Sequence, residues 1–246
     1  MKNLLIIGAT STIAGETARL FAAENASFFL AGLSEEKLKA MADDLKVRGA
    51  NKVTTFQLDV NDFERHSEML EKAQKTLGEI DAVLIAHGTL PDQKKCEQDA
   101  KYAVREFRTN GLSVIALLTP VAAYFEGRGK GCIAVISSVA GDRGRQSNYL
   151  YGSAKGAVSI YLQGLRNRLA KTGVQVLTIK PGFVDTAMTA HLPKNFLFAK
   201  PQAVAKSIHK AMKGGKADVI YVPFFWRFIM LAIKVIPERL FKQLKL

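Results

Sequence analysis

The chain has 246 residues, of which 48% are hydrophobic and 23% are charged, and these values are typical of a globular protein with one sizeable core. They exclude intrinsic disorder, a collagen-like repeat and a small disulfide scaffold. The net charge is +13, and residues 194–246 carry eleven lysines and arginines against only Asp218 and Glu238. This asymmetry predicts an anionic partner (a nucleic acid, a phosphorylated substrate or an anionic membrane) rather than a merely solvated basic face.

Short apolar runs alternate with longer amphipathic stretches along the whole chain. The runs predicted as strands are Leu4–Ile7, Ser27–Ala31, Val53–Leu58, Ala82–Ala86, Cys132–Ser137, Val174–Ile179 and Val219–Val222. The stretches predicted as helices are Ile13–Glu24, Ser34–Val47, Asn61–Leu77, Gln93–Phe125, Tyr149–Lys171 and Pro201–Met212. Most of the first six strands are almost continuously apolar, as strands buried on both faces are. The alternation predicts an α/β fold with a doubly wound, Rossmann-type parallel sheet and helices on both faces.

Two further features of the pattern concern helix starts and domain boundaries. Ser34 and Asn61 are each followed by acidic residues, so both are predicted to cap the helices that begin there. No internal repeat or low-complexity linker interrupts the chain. Residues 1–246 are therefore predicted to form a single domain, with 217–246 as an apolar and basic C-terminal extension.

The turn after the first predicted strand lies where a phosphate-binding loop would lie. Its sequence is Gly8-Ala9-Thr10-Ser11-Thr12-Ile13-Ala14-Gly15, and it opens a predicted helix whose N-terminus would bind a pyrophosphate. Thr12 and Ala14 replace two glycines of the full fingerprint, so this turn alone does not separate a dinucleotide site from an ordinary strand–helix connection. The second strand ends without an acid for a ribose hydroxyl or an arginine for a 2′-phosphate, which leaves both NAD and NADP open.

A serine, a tyrosine and a lysine form the most informative pattern of the chain. Tyr151 and Lys155 are four residues apart on a predicted helix and therefore project from the same face, whereas Tyr149 points elsewhere. The nearby ammonium is expected to lower the pKa of the Tyr151 phenol from about 10, which suits acid–base catalysis. Ser138, at the end of the fifth predicted strand, is placed to bind a substrate carbonyl. This combination predicts a catalytic site rather than ordinary surface.

Other stretches complete a known pattern around this set. They are the glycine turn from Gly8, Leu58-Asp59-Val60, Thr109-Asn110-Gly111 and Pro181-Gly182-Phe183-Val184-Asp185-Thr186. With Ser138, Tyr151 and Lys155, they make the chain resemble the short-chain dehydrogenase/reductase superfamily over essentially its whole length. The resemblance implies interconversion of a ketone and a secondary alcohol by hydride transfer with NAD or NADP. It assigns the catalytic roles to Ser138, Tyr151 and Lys155, with Asn110 supporting a water relay to the lysine.

The same resemblance implies a set of cofactor contacts. Asp59 would contact adenine, and the stretch from Pro181 to Thr186 would line the nicotinamide. The complete implied set is Gly8, Thr10, Ser11, Thr12, Ile13, Asp59, Val60, Ala86, Gly88, Tyr151, Lys155, Pro181, Gly182, Val184 and Thr186. The segment Ala86-His87-Gly88 departs from the family's Asn-Ala-Gly, and His87 is interpreted as a packing residue near the cofactor rather than a catalytic one.

Three stretches toward the C-terminus carry a narrower resemblance. Ser147–Gly152, Thr186–Leu192 and Val222–Arg227 are similar to reductases that act on polyprenyl-phosphoryl 2-keto-pentoses in cell-envelope biosynthesis. The implied substrate is a lipid-linked ketosugar. A 3-oxoacyl-thioester reductase is the alternative, because a basic patch also suits an acidic carrier, and a non-catalytic cofactor-binding regulator is the alternative from another class. Nucleic acid is not an expected partner, because the basic segment contains no recognised module.

The apolar run Phe224–Ile236 bears on membrane contact. As a helix its thirteen residues would rise only about 20 Å, against a hydrocarbon core of about 30 Å, so it is not expected to span a bilayer. Its flanking cations predict peripheral contact of 217–246 with an anionic membrane. Folding back over the substrate cleft and burial between subunits are the alternatives.

The remaining expectations concern assembly and compartment. A homo-dimer or tetramer is predicted from apolar residues interpreted as facing outward on two long helices, with packing on the sheet as the alternative. These residues are Val114, Leu117, Leu118, Val158, Tyr161 and Leu165. Cys96 and Cys132 have no metal-ligand spacing, so neither a metal site nor a disulfide is expected. The short N-terminal apolar run predicts a cytoplasmic protein, placed by the C-terminal segment at the inner face of the membrane.

Overall fold

The computed structural model describes residues 1–244, which build a seven-stranded parallel sheet. The strands are β1 (Asn3–Ile7), β2 (Ser27–Gly32), β3 (Lys52–Gln57), β4 (Ala82–Ile85), β5 (Gly131–Ile136), β6 (Val174–Pro181) and β7 (Val219–Val222). Their order across the sheet is β3-β2-β1-β4-β5-β6-β7. The order reverses beside β1, and in such sheets ligands bind at this switch point beyond the carboxyl ends of the strands. The predicted doubly wound fold is confirmed.

Helices cover both faces of the sheet. They are α1 (Thr12–Ala22), α2 (Glu35–Val47), α3 (Arg65–Leu77), α4 (Gln93–Gln98), α5 (Ala100–Phe107), α6 (Ser113–Arg128), α7 (Tyr149–Leu169), α8 (Pro201–Gly214), α9 (Trp226–Val235) and α10 (Glu238–Phe241). One apolar cluster joins the sheet to α1, α2 and α8, and a second joins it to α3, α6 and α7. Alternate residues of β1 enter the two clusters, because successive side chains of a strand point to opposite faces.

The long helix predicted over Gln93–Phe125 is divided into four parts. Asp99 has an extended backbone between α4 and α5, and its side chain accepts a hydrogen bond from Tyr102 N at 3.0 Å, which starts a new helix. A π-helical turn at Arg108–Leu112 then separates α5 from α6. This turn contains Asn110, and wide turns of this kind often lie at functional sites.

The two predicted helix caps have different outcomes. Ser34 caps α2, where its side chain accepts a hydrogen bond from Lys37 N at 3.3 Å, as predicted. Asn61 does not cap α3, which begins four residues later at Arg65. The Asp59 carboxylate accepts a hydrogen bond from Asn61 N at 2.9 Å and holds this segment in a turn, while the Asn61 amide donates to Thr109 Oγ1 at 3.0 Å.

The apolar residues interpreted as facing outward on α6 and α7 face the sheet instead. Val114, Leu117, Leu118, Val158 and Leu165 are all buried in the second apolar cluster, and Tyr161 packs against its edge. The orientation predicted for these residues is therefore wrong, because both helices use these side chains to cover the same face of the sheet. A homo-dimer or tetramer stays a prediction that needs another surface.

The segment after residue 217 is built into the fold through β7 and α9. β7 pairs with β6, and α9 then packs Trp226 and Met230 onto Val139. The Arg143 guanidinium donates hydrogen bonds to Ile233 O at 2.6 Å and Ile236 O at 2.7 Å, so it binds the carboxyl end of α9. No helix within residues 1–244 is long and apolar enough to cross a membrane.

Candidate active site

The glycine turn closes one end of the site and fits a pyrophosphate. Gly8 has a φ of +76°, and a Cβ added there would lie 2.5 Å from His87 N, so only glycine is tolerated. Helix α1 begins directly after this turn, and the N–H groups of its first turn have no partner within the helix. Thr12 adopts an ordinary helical conformation with an exposed side chain, so its replacement of glycine leaves the helix N-terminus open to a phosphate.

A cavity of about 550 Å³ extends from this turn along the carboxyl ends of the strands. Its volume is in the range of small-molecule and cofactor sites. All the predicted cofactor-contact residues line it, namely Gly8, Thr10, Ser11, Thr12, Ile13, Asp59, Val60, Ala86, Gly88, Tyr151, Lys155, Pro181, Gly182, Val184 and Thr186. Ser138 also lines the cavity, whereas Asn110 lies behind its wall. The fold thus brings together residues from five strand–helix connections and from helix α7.

Ser138, Tyr151 and Lys155 share one region of this cavity. Tyr151 and Lys155 lie in the first two turns of α7, with the lysine Nζ 5.8 Å from the centre of the phenol ring. The buried Lys155 ammonium donates a hydrogen bond to Ile136 O at 3.2 Å, which fixes it against the end of β5. Tyr149 is 44% exposed and does not line the cavity, as the helical spacing predicts.

Glycines allow the serine-bearing turn to lie directly against α7. Ser138 precedes a 3₁₀ turn at Val139–Asp142, and this turn crosses the first half of the helix. A Cβ on Gly152 would lie 2.8 Å from Ala140 O, and one on Gly141 would lie 2.7 Å from Gly156 N. Backbone therefore packs on backbone here. The signal in the sequence is the four-residue spacing of Gly152 and Gly156, which places both on one helix face, but this spacing alone does not reveal the turn that packs there.

Burial sets the protonation of Tyr151 and Lys155. It raises the pKa of Tyr151 to about 12, against an opposing contribution from a hydrogen bond with Ser138, and it lowers the pKa of Lys155 to about 8. The expectation that the ammonium lowers the phenol pKa is therefore wrong for this structure, because desolvation of the phenolate raises the pKa and the opposing contribution comes from Ser138 rather than from Lys155. At neutral pH Tyr151 is a protonated phenol and Lys155 is mainly an ammonium.

Asn110 is held rigidly behind the lysine. Its Oδ1 accepts a hydrogen bond from Thr89 N at 2.9 Å, and its Nδ2 donates to Glu106 O at 3.0 Å and to Thr89 Oγ1 at 2.8 Å. A Cβ on Gly88 would lie 2.8 Å from Asn110 Oδ1 and 3.4 Å from Lys155 Nζ, so this glycine keeps open the gap between the two side chains. Thr89 and Glu106 were missed because nothing local in the sequence connects them to Asn110.

His87 is buried beside the site, and its environment agrees with a packing role. Its Nε2 lies 2.8 Å from Ser113 Oγ. Burial, with the nearby Lys155 charge, lowers the pKa of His87 to about 3, so the ring is neutral at physiological pH. A neutral ring held in this way does not serve as a proton carrier near pH 7.

The chain matches a known protein family over most of its length. Residues 2–196 match the sequence profile of the family described as short chain dehydrogenase. The chain belongs to this family. As a short-chain dehydrogenase, the protein is an oxidoreductase acting on CH–OH groups, with NAD or NADP as its cofactor. The glycine turn and the lined cavity fit such a dinucleotide.

Relatives and solved structures extend this result. The short-chain dehydrogenase is 34% identical over 241 residues to an uncharacterized oxidoreductase of Mycobacterium tuberculosis, covering 98% of this chain and 96% of the relative. It is also 32% identical over 246 residues to an uncharacterized oxidoreductase of Streptomyces coelicolor, and this match covers 99% of this chain and 96% of the relative. Levodione reductase shares the fold with a TM-score of 0.83 at 21% identity, covering 91% and 96% of the two chains. A variant actinorhodin polyketide ketoreductase solved with NADPH shares the fold with a TM-score of 0.80 at 21% sequence identity, and the match covers 90% of this chain and 95% of that one.

Proposed function

We propose that the protein reduces the ketone of a lipid-linked ketosugar to a secondary alcohol. The observation that carries the proposal is the grouping of Ser138, Tyr151 and Lys155 at one cavity that begins at the glycine turn. When bound, the reduced nicotinamide cofactor supplies the hydride. Gly8 and Thr10–Ile13 would hold its pyrophosphate, Asp59 and Val60 its adenine, and the Pro181–Thr186 stretch its nicotinamide.

The protein's own residues handle the carbonyl oxygen and the proton. Ser138 Oγ donates a hydrogen bond to the substrate oxygen and holds it near the phenol. Tyr151 then protonates the developing alkoxide, which a phenol with a pKa of about 12 favours because it carries its proton at neutral pH. This protonation state supports the reductive direction. Lys155 would bind the cofactor ribose, and its ammonium would stabilise the phenolate that remains on Tyr151. Gly88 keeps open the gap between Lys155 and Asn110, and a water held by Asn110 in this gap would return a proton to the lysine.

The arrangement of the C-terminal half supports the lipid-linked substrate. Three stretches resemble polyprenyl-phosphoryl ketopentose reductases, and the fold gathers them at one side of the cavity. Asn148 and Tyr151 of the first stretch, and Thr186–Thr189 and Leu192 of the second, line it directly. Trp226 of the third stretch packs on Phe183, with ring centroids 5.6 Å apart. In the proposed complex, these residues, which are distant in the sequence, would form one wall of the substrate site.

Helix α9 presents a face that suits a membrane surface. Phe224 just before the helix, and Phe228, Leu231 and Val235 along it, are 75%, 62%, 61% and 71% exposed and recur at helical spacing. The exposed cations beside them are Arg227, Lys234, Arg239 and Lys242. An apolar stripe flanked by cations favours docking on anionic lipid, next to the cavity that would receive a lipid-linked substrate. Lys245 and Leu246 of the predicted contact segment lie outside the described residues.

A substrate comparison tests the proposed reaction. Oxidation of NADH and of NADPH would be followed with a polyprenyl-phosphoryl 2-keto-pentose and with an acetoacetyl thioester, using Tyr151→Phe as the inactive control. We expect faster turnover of the ketosugar. A preference for the thioester would identify a 3-oxoacyl-thioester reductase instead. Cofactor binding without turnover of either ketone would favour the non-catalytic regulator.

A further inference from the structure

The loop between the serine-bearing turn and α7 contains two arginines with different surroundings. Arg143 is fully engaged, since it binds the end of α9, donates to Glu238 Oε2 at 2.9 Å and stacks on Phe241 at 3.7 Å. Arg145 lines the cavity instead. Its Nε is shielded from solvent and finds no hydrogen-bond acceptor within residues 1–244.

The nearest carboxylate along the chain is not available to Arg145. Asp142 is buried and forms an ion pair with Lys180, and it also accepts a hydrogen bond from Tyr221 OH at 2.6 Å. Burial lowers the pKa of Arg145, and no carboxylate offsets this effect. Arg145 is half-buried, and a donor that is shielded from water without an acceptor is costly, so an acceptor from a ligand would stabilise its Nε.

The position of Arg145 assigns it to the substrate side of the cavity. The loop that carries it joins Ser138 to Tyr151, whereas the glycine turn follows β1, two strands away from β5 in the sheet. Asn148 lies in the same loop, lines the same cavity and has a shielded Oδ1 without a partner in the described part of the chain. Two unsatisfied polar side chains therefore border the region where the carbonyl is bound.

We propose that Arg145 binds the phosphoryl group of the substrate, so that the enzyme selects ketones that also carry a phosphate. The proposal rests on the proposed function and names the group that this site recognises. A guanidinium presents its N–H donors as a planar fork that matches phosphate oxygens, and the bond is strengthened where water is excluded. The unpartnered Oδ1 of Asn148 would accept a hydrogen bond from a neighbouring sugar hydroxyl.

A binding experiment tests this without requiring turnover. The probes are farnesyl phosphate, farnesol and the soluble ribulose 5-phosphate, and the readout is the fluorescence of Trp226, the single tryptophan, which packs against the cavity wall. Arg145→Gln should weaken binding of farnesyl phosphate by at least about tenfold and leave farnesol unchanged. The control Arg168→Gln changes an exposed arginine of α7 that pairs with Glu126, and should leave every affinity as in the wild type.

The outcomes separate this inference from the proposed reaction. Unchanged farnesyl phosphate binding in Arg145→Gln, or equal weakening for farnesol, would overturn the role of Arg145. If Arg145 had only a structural role, Arg145→Gln would lower the melting temperature. We expect an unchanged melting temperature for Arg145→Gln and partly retained affinity for farnesyl phosphate in Arg145→Lys. Binding of ribulose 5-phosphate as tight as that of farnesyl phosphate would retain the phosphate site but assign it to soluble substrates. Tyr151→Phe should bind farnesyl phosphate normally, even if the proposed reaction fails.

Discussion

The indole of Trp226 occupies the space in which a side chain at Gly182 would lie. A Cβ built on Gly182 would be 1.9 Å from Trp226 Nε1 and 2.1 Å from its Cε2. Gly182 lies in the stretch that lines the cavity, and it also donates its N–H to Val222 O at 3.0 Å. The missing side chain therefore lets α9 close against the wall of the site, and this couples the C-terminal segment to the cofactor region.

This contact predicts that Gly182→Ala is destabilising. The added methyl group would displace a buried indole, and overpacking of this kind costs about 1–3 kcal/mol. Gly144→Ala is the matched control, because a Cβ at Gly144 meets nothing within 4 Å. Gly182→Ala should lower both the melting temperature and the affinity for NADH, and adding Trp226→Phe should partly restore both. Equal melting temperatures for Gly182→Ala and Gly144→Ala would contradict the prediction, because they would show that Trp226 can shift without cost.

The catalytic role proposed for Tyr151 is tested by a pair of neighbouring substitutions. Tyr151→Phe removes the proton donor and should lower kcat by about 10²–10⁴-fold or more, with the fold and the cofactor affinity retained. Tyr149→Phe changes an exposed phenol outside the cavity and should be far milder. Steady-state kinetics on one ketone would measure both, and comparable losses would contradict the choice of Tyr151.

The pKa values predict how ketone reduction depends on pH. Lys155 loses its proton near pH 8, because burial lowers its pKa, so its ammonium is present below that pH and is lost above it. The pKa of Tyr151, raised to about 12, keeps the phenol protonated throughout this range. We expect kcat/KM for reduction to fall as pH rises through about 8 and to recover on return to pH 7. A profile that stays flat to pH 10 would contradict this assignment.

The exposed face of α9 predicts membrane binding that can be separated from catalysis. Replacing Phe228 and Leu231 by serine should abolish sedimentation with phosphatidylglycerol vesicles and leave reduction of a soluble ketone unchanged. The control Val47→Ser removes an exposed apolar side chain at the end of α2, away from the stripe, and should bind as the wild type does. High salt should weaken the wild-type interaction. Failure of the wild type to bind at low salt would exclude the docking proposal.

Part of the fold and site could be predicted because local patterns carry it. Strands buried on both faces must be continuously apolar, so β1, β2, β4 and β5 were recognisable from sequence. The four-residue spacing of Tyr151 and Lys155 fixes their common helix face whatever surrounds them. Ser138 follows a strand, and the carboxyl ends of parallel strands meet at one edge of the sheet, so its approach to this pair was predictable too.

The sequence by itself thus determined the doubly wound sheet and placed Tyr151 and Lys155 on one helix face, because both depend on short-range periodicity. Only the tertiary structure decided which face of α6 and α7 is buried, since α6 carries apolar residues all round and its pattern marks no outer side. Only the tertiary structure decided the pKa of Tyr151, because desolvation depends on elements that are distant along the chain. The contact of Trp226 with Gly182 could not be predicted either, because these residues are far apart in the sequence and meet only in the folded chain. The same holds for Arg145, because its Nε lacks a partner only as a result of which groups the fold places around it.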